Sequence, residues 1–257
     1  MLVTGFPAGA FAANCYLVAP APGEECVIID PGQDAERGIE ELLARYRLKP
    51  IAVLLTHGHV DHMWSVAPVC GAKGIPAYVH PDDRDLLSDP AKGMSLMAKQ
   101  QFLGGMTFAE PDDVKTLEDG DVVTLAGLDI RIGHTPGHTP GSVTYEMPLD
   151  RPSGAGPIQW PSSRSGAPRT DSRGVRGVVP PEDSRALFSG DLLFAGSIGR
   201  TDLPGGDHAT ILRSLARTLS LPDETVVLPG HGPQTTIGDE RRTNPFLTGL
   251  KPAQKGL

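Results

Sequence analysis

Residues 56–62 read THGHVDH and place four side chains of metal-binding type close together in the sequence: His57, His59, Asp61 and His62. Neutral imidazole and carboxylate groups are the ligands with which proteins hold zinc and similar first-row metals. Because His57 and His59 alternate, both can reach one ion from the same side of an extended strand end. The spacing therefore predicts a metal site.

Three further side chains of this type follow predicted strands later in the chain. They are His138 in TPGHTPGS, Asp191 in FSGD and His231 in LPGHG. Each lies in a glycine-containing turn, where the backbone can adopt special dihedral angles and a short side chain can reach inward. A single histidine in such a turn is more often a surface or hydrogen-bonded residue than a ligand. Together with THGHVDH, however, the three supply the additional ligands that a pair of metal ions requires.

The remaining three histidines do not lie in motifs of this kind. We expect His80 and His208 to serve turns or helix starts, and His134 either to support a ligand or to be structural. Asp30 and Thr56 are candidates for hydrogen bonds that fix the ligand geometry, although a purely structural role is open for each.

Short β-branched segments ended by Pro, Gly or polar turns predict a sheet, and two segments with helical spacing predict helices. The predicted strands cover residues 14–19, 26–29, 51–55, 77–80, 121–125, 128–132, 142–147, 186–189 and 225–228. The helices are expected at residues 34–48, capped by Asp34, and at about 207–219. This order indicates a layered α/β architecture. The strand at 51–55 should deliver THGHVDH to the carboxyl edge of its sheet, where such folds carry their sites.

The composition is that of a globular protein: 257 residues, of which 39% are hydrophobic and 21% charged. We expect one domain over residues 1–257. Residues 150–183 differ, because they are dense in Pro, Gly, Ser and Arg and show no periodicity. Such a segment buries too little apolar area to offset its chain entropy. It is predicted to be a disordered or loosely docked insertion between two strands.

The net charge of -8 argues against nucleic acid as a partner, because such proteins need a basic face. The three cysteines (Cys15, Cys26 and Cys70) form no CxxC pair and are odd in number, which favours neither disulfides nor a cysteine-rich zinc site. No apolar run reaches membrane-spanning length, and the N-terminus lacks the basic region of a secretory signal. We therefore expect a cytoplasmic protein with a small-molecule substrate and without nucleic-acid or membrane partners.

THGHVDH, TPGHTPGS, SGD and GHG, in this order, resemble the motifs of the metallo-β-lactamase superfamily. NCYLV, IIDPG, GRTDLPGGD and RRTNPFL extend the resemblance over almost the whole chain outside the insertion. The last two are similar to segments of short, single-domain relatives of hydroxyacylglutathione hydrolase, or glyoxalase II. The resemblance implies a four-layer αββα sandwich with the site at one rim between the sheets.

The resemblance also implies a ligand set: one divalent metal ion held by His57, His59 and His138, a second by Asp61, His62 and His231, and Asp191 as the bridge. Zn²⁺ is the expected metal, with iron or manganese as alternatives. Asp61 and Asp191 are the catalytic candidates, since Asp61 can also orient water and Asp191 contacts both ions. Two such cations lower the pKa of a shared water, so that a bridging hydroxide can attack a thioester at neutral pH.

A thioester hydrolase of the glyoxalase II type is therefore the favoured function. An Asp at position 191, where many β-lactamases of the superfamily have Cys, tells against antibiotic hydrolysis. The main alternative is a mononuclear iron persulfide dioxygenase that uses His57, His138 and Asp191. A non-catalytic binding protein, a lactonase and a phosphodiesterase are lesser alternatives.

The thiol carrier of the substrate stays open in this interpretation. Glyoxalase II has a helical C-terminal extension that helps to bind glutathione, whereas only a short tail follows His231 here. Glutathione, another small thiol and coenzyme A therefore all remain candidates. Arg241 and Arg242 are placed to bind an anionic substrate group, with solvated helix residues as the alternative.

Overall fold

The computed structural model describes residues 1–103, 106–149 and 184–253. The insertion predicted at residues 150–183 thus lies outside the described residues. Within the described ranges, no helix combines the length and the apolar character needed to cross a bilayer. All three cysteines fall in these ranges, and each is a buried free thiol.

Two six-stranded sheets form the centre of the molecule. The first sheet contains, in both sequence and spatial order, β1 (Leu2–Ala8), β2 (Ala13–Ala19), β3 (Glu25–Ile29), β4 (Lys49–Leu54), β5 (Ala77–Val79) and β6 (Val114–Thr116). The chain continues through β7 (Val122–Leu125), β8 (Leu128–His134), β9 (Val143–Pro148), β10 (Arg185–Gly190), the hairpin β11 (Leu193–Phe194) and β12 (Ser197–Ile198), then β13 (Val226–Pro229) and β14 (Thr235–Thr236). The second sheet has the spatial order β14-β13-β10-β9-β8-β7.

Helices cover the outer faces of both sheets. Their bounds are α1 (Glu36–Tyr46), α2 (Val60–Met63), α3 (Val66–Lys73), α4 (Pro81–Arg84), α5 (Leu96–Ala98), α6 (His208–Thr218) and α7 (Ile237–Thr243). Single helical turns lie at Asp85–Leu87, Pro90–Gly93, Lys99–Leu103 and Pro245–Leu247. Ile39 and Leu43 of α1 pack in the outer core of the first sheet, and Ile211 and Leu215 of α6 pack in that of the second.

The central strands are apolar on both faces, because each sheet is covered on both sides. In β2 every residue is buried: Leu17 points to the outer core beneath α1, while Tyr16 and Val18 point to the core between the sheets. In β10, Phe188 faces the same central core and Leu187 faces α6. Successive residues thus alternate between two cores, and the predicted four-layer αββα sandwich is confirmed.

The cap predicted for α1 is wrong. Ala35, not Asp34, precedes the helix, and no side chain caps it. Asp34 instead adopts a left-handed conformation, with φ at 53°. The N–H of Ala35 donates to the hydroxyl of Ser65, 3.2 Å away, so a distant residue accepts from one of the N–H groups at this end of the helix. For α6, in contrast, the Asp207 carboxylate accepts a hydrogen bond from the N–H of Thr210 at 2.6 Å.

Three strand ends lie immediately before candidate site residues. β4 leads into THGHVDH, β10 ends at Gly190 before Asp191, and β13 ends at Pro229 before His231. β4 is paired in parallel with β3, and β10 with β13, so the carboxyl ends of each pair lie at the same edge of its sheet. His138 comes from the loop that joins β8 to β9.

The described residues that flank the segment 150–183 are neighbours in space. β9 and β10 are antiparallel neighbours, and the N–H of Leu149 donates to the carbonyl of Ser184 at 2.7 Å.

Deleting residues 152–179 should therefore preserve the fold. If the segment is disordered, as its composition predicts, the free energy of unfolding should stay constant or rise by about 1–2 kcal/mol, because a shorter loop loses less entropy on closure. Denaturant titration checks this expectation, and loss of cooperative unfolding in the deletion variant would show that the segment is part of the fold.

Candidate metal centre

The structure brings all seven of the predicted ligand residues together. We define the first trio as His57, His59 and His138, and the second trio as Asp61, His62 and His231. Within each trio, one potential ligand atom from every residue lies within 4.8 Å of the others. Asp191 forms a further group of this kind with His57 and His62.

The imidazole rings of the first trio cross at steep angles. Nδ1 of His59 lies 2.8 Å from Nε2 of His138. The planes of the three rings meet at 75°, 82° and 89°. Since the nitrogen lone pairs lie in the ring planes, rings that cross steeply can direct their lone pairs at one point between them.

The second trio combines a carboxylate with two imidazoles. Nε2 of His231 lies 3.1 Å from Oδ2 of Asp61 and 3.3 Å from Nε2 of His62. Asp191 lies between the trios: its Oδ1 is 3.4 Å from Nε2 of His62, and its Oδ2 is 3.6 Å from Nε2 of His138. The two oxygens of one carboxylate therefore face both groups.

Hydrogen bonds at the opposite ring nitrogens orient the imidazoles. Asp30 accepts hydrogen bonds from the Thr56 N–H at 2.8 Å and from its hydroxyl at 2.6 Å, and Nδ1 of His62 lies 3.0 Å from the same carboxylate. Because the Thr56 hydroxyl donates to Asp30, it is free to accept from Nδ1 of His57, 3.1 Å away. Each of these two histidines then presents Nε2 as a lone pair. The supporting roles predicted for Asp30 and Thr56 agree with these contacts.

A further orienting contact comes from the backbone. Nδ1 of His138 lies 2.8 Å from the carbonyl oxygen of Arg200, which accepts its hydrogen bond. This contact could not be predicted from the sequence, since a backbone carbonyl group leaves no signal in the residue type.

Burial keeps two imidazoles of the first trio neutral. Burial, reinforced by the neighbouring His138, lowers the pKa of His59 to about 3. Burial, with His62 and His138 nearby, likewise holds the pKa of His57 well below its ordinary value. Their lone pairs are therefore available over the whole physiological pH range.

The carboxylates reverse this balance in the second trio. Burial opposes the charged form of His62, but the Asp191 and Asp61 carboxylates outweigh it and raise the pKa of His62 well above its ordinary value. Burial also opposes the charge on His231, whose pKa the hydrogen bond to Asp61 nevertheless raises. In turn, His62 overcomes the effect of burial on Asp191 and holds the pKa of that carboxyl well below its usual range. The carboxylates of Asp61 and Asp191 thus stabilise positive charge at the second trio.

The residues fit a bound cation. Among the described residues, His57 Nε2 and Asp191 Oδ1 are buried polar atoms without a hydrogen-bond partner. Leaving such atoms unsatisfied costs roughly 1–3 kcal/mol each. Crowded imidazole nitrogens and unpaired carboxylate oxygens are the environment in which divalent metals replace hydrogen bonds.

His80, Asp82 and His134 also lie close together, but their geometry does not suit a metal ion. The two imidazole rings are stacked, with centroids 4.0 Å apart and planes only 10° apart, so their lone pairs run side by side and do not converge. His80 caps α4 by accepting from the N–H of Asp82 at 3.2 Å, and Nε2 of His134 lies 2.8 Å from the carbonyl of Pro140. His80 therefore serves a helix start, as expected, and His134 is structural. His208 is the first residue of α6, also as expected.

The substrate-binding role considered for Arg241 and Arg242 finds no support in their contacts. The guanidinium of Arg241 pairs with Asp223 and also donates to the carbonyl of Leu221 at 2.9 Å. Arg242 pairs with Asp239 of the same helix at 2.7 Å. Arg241 is thus engaged in contacts that hold α7 in place, and Arg242 in an ion pair within α7.

The chain is similar to known proteins along nearly its whole length. It is 46% identical over 252 residues to an uncharacterized protein of Mycobacterium tuberculosis, covering 97% of this chain and 99% of the relative. It is 32% identical over 246 residues to the hydroxyacylglutathione hydrolase GloC of Haemophilus influenzae, covering 94% and 95%.

Solved structures share the fold. The B3 metallo-β-lactamase BLEG-1 superposes with a TM-score of 0.72 at 36% identity, covering 96% of this chain and 100% of that one. The protein TTHA1623, in a di-iron-bound form, superposes with a TM-score of 0.65 at 39% identity, covering 93% and 97%. The family model of the metallo-β-lactamase superfamily matches residues 8–151 and 174–231, which leaves most of the segment 150–183 unmatched. The match includes all seven of the clustered ligand-type residues, and the chain belongs to the metallo-β-lactamase superfamily.

Proposed function

We propose that this protein, a metal-dependent hydrolase of its superfamily, cleaves S-acyl thiol conjugates in the manner of a hydroxyacylglutathione hydrolase. The observation that carries the proposal is the position of Asp191, whose two carboxylate oxygens face both trios. A carboxylate so placed supports a pair of metal ions acting on one substrate. The 32% identity to GloC along nearly the full length of both chains supports the thioester as substrate.

The proposed ligand assignment follows the two trios. The first trio would hold one ion and the second trio the other, with Asp191 placed to serve both. Zn²⁺ suits this set of imidazole and carboxylate ligands. Iron is the alternative, since ligands of this type accept it and TTHA1623 has been crystallised in a di-iron-bound form.

When bound, two divalent ions lower the pKa of a shared water towards neutrality and polarise the carbonyl group of the substrate. The side chain of Asp61 is 20% exposed, so that it can orient the attacking water as well as bind. Asp30 and Thr56 hold His62 and His57 in the required orientation. The leaving thiolate needs no protonated side chain beside it, because the pKa of a thiol is already near neutral.

Hydrolysis of β-lactams is the second candidate, favoured by the 36% identity to BLEG-1. It ranks below thioester cleavage because an amine leaving group, unlike a thiolate, departs only after protonation. The iron persulfide dioxygenase would use a single ion at His57, His138 and Asp191. It leaves unexplained why Asp61 and His231 form a second cluster 3.1 Å apart.

A substrate panel with metal analysis tests the proposed function. We expect the purified protein to contain two metal ions per chain and to hydrolyse S-lactoylglutathione or an acyl-coenzyme A. Nitrocefin and glutathione persulfide, the latter with an oxygen electrode, represent the two competing reactions. Oxygen uptake by a protein with one iron, or turnover of nitrocefin alone, would overturn the proposal.

Replacing the shared carboxylate should be the most damaging single change. Asp191→Ala removes a contact to both ions, so we expect metal content to fall and turnover to drop by at least about 100-fold. Metal content by plasma mass spectrometry and the rate on the best substrate of the panel measure this. Asp129→Ala removes an exposed carboxylate on β8 and serves as the control. Full metal content and rate in Asp191→Ala would refute the bridging role.

The two sites should respond differently to pH. Metal ions bind neutral imidazole and therefore compete with protons. The raised pKa values of His62 and His231 mean that binding at the second trio releases protons and weakens as the pH falls through those values. The lowered pKa values of His57 and His59 remove this competition at two of the three ligands of the first trio.

We accordingly expect a change from about pH 8 to about pH 6 to weaken binding more at the second trio than at the first. Zn²⁺ titration calorimetry in buffers of different ionisation enthalpy gives both the affinity and the number of protons released. Equal weakening at both sites would contradict the expectation.

A further inference from the structure

Asp83 is a fully buried carboxylate on α4 that contacts two loops of the metal centre. Its Oδ2 accepts hydrogen bonds from the N–H of Gly58 at 2.8 Å and from the hydroxyl of Thr139 at 2.7 Å. Its Oδ1 accepts from the N–H of Gly141 at 2.7 Å. Both oxygens are thus occupied by donors from the protein, so Asp83 is not itself a metal ligand.

Two of these donors are direct sequence neighbours of the histidines of the first trio. Gly58 lies between His57 and His59 on the loop that follows β4, and Thr139 directly follows His138 on the loop between β8 and β9. The first loop extends from the first sheet and the second from the second sheet. Asp83 therefore connects, through a single carboxylate, the two halves of the first trio.

The packing around the carboxylate leaves little freedom. A Cβ atom added at Gly141 would lie 2.6 Å from Cγ of Asp83, and one added at Gly58 would lie 2.9 Å from the Asp83 carbonyl oxygen. Glycine at both positions lets the two loops approach the carboxylate closely. A longer side chain at position 83 would push the loops apart.

We propose that Asp83 is a positioning residue that sets the separation of His57 and His59 from His138, and hence the affinity of the first trio for its metal ion. The inference rests on the proposed role of the first trio as metal ligands. It assigns Asp83 to the first trio alone, because its side-chain hydrogen bonds reach the loops of His57, His59 and His138.

Asparagine is the informative replacement. It has nearly the same shape as aspartate, but its NH₂ group cannot accept a hydrogen bond. Whichever way the amide turns, the N–H of either Gly58 or Gly141 loses its acceptor. The fold itself should survive, because the N–H of Val143 still donates to the carbonyl of Thr56 at 2.8 Å and keeps the sheets joined.

The test measures the two sites separately, with Co²⁺ as the probe and visible absorption as the signal. His231→Ala disables the second trio and reports on the first, whereas His59→Ala disables the first and reports on the second. We expect Asp83→Asn to weaken Co²⁺ binding by about 10- to 100-fold in the His231→Ala background and to shift its absorption bands. In the His59→Ala background the affinity should change by less than about 3-fold, since Asp83 does not contact that trio.

Glu240→Gln is the matched control. Glu240 is a buried carboxylate that also accepts three hydrogen bonds, from Gly196, Thr235 and Asn244, but none of these residues belongs to either trio. The Glu240→Gln variant should have a lower melting temperature, and the Co²⁺ affinities of both trios should be unchanged. Thr139→Val removes one of the bonds to Asp83 and should weaken the first trio to a smaller degree; it replaces Asp83→Asn if that variant does not fold.

Unchanged binding at the first trio, or equal losses at both trios, would overturn the proposal. The experiment uses no substrate, so its outcome is independent of whether thioesters are the substrate. If neither single-trio background bound Co²⁺ with Asp83 intact, the ligand assignment would fail, and the inference about Asp83 with it.

Discussion

The structure depends on one electrostatic constraint: seven side chains with lone pairs or negative charge must occupy a small, largely buried volume. Ring nitrogens of His59 and His138 are 2.8 Å apart, and those of His62 and His231 are 3.3 Å apart. Without a cation, such crowding is costly, because buried polar atoms without a hydrogen-bond partner, such as Nε2 of His57 and Oδ1 of Asp191, lose their hydration without compensation. The surrounding protein must therefore hold these groups firmly, and a positive charge must balance them.

Each of the two sheets supplies part of the ligand set and holds it in place. The first sheet supplies THGHVDH after β4, and the second supplies His138, Asp191 and His231 from its loops and strand ends. Strands that are buried on both faces resist displacement, since moving them would expose apolar side chains to water. Two carboxylates then align the ligands: Asp30 orients His62 directly and His57 through Thr56, and Asp83 joins the loops of the first trio. The charge pattern also differs between the trios, since only the second contains a carboxylate of its own.

Much of this arrangement could be predicted from the sequence, because its signals are local. Continuous apolar segments such as β2 and β10 indicate strands covered on both faces, and ligand-type residues directly after strands indicate a site at the sheet edge. The contacts that were missed depend on distant partners. Asp83 lies in an acidic stretch with Asp82 and looks like a surface residue, yet its three donors are 25, 56 and 58 positions away. The cap predicted for α1 was wrong for the same reason, since the N–H of Ala35 donates to Ser65, 30 positions away, and Asp34 does not cap the helix.

The central claim is that the two trios and Asp191 hold a pair of ions, and anomalous diffraction from crystals of the zinc-loaded protein tests it most directly. Data collected on both sides of the zinc absorption edge should show two peaks. One should lie among His57, His59 and His138 and the other among Asp61, His62 and His231, each within bonding distance of Asp191, at roughly 2.0–2.2 Å. A single peak, or a peak between the stacked rings of His80 and His134, would contradict the account.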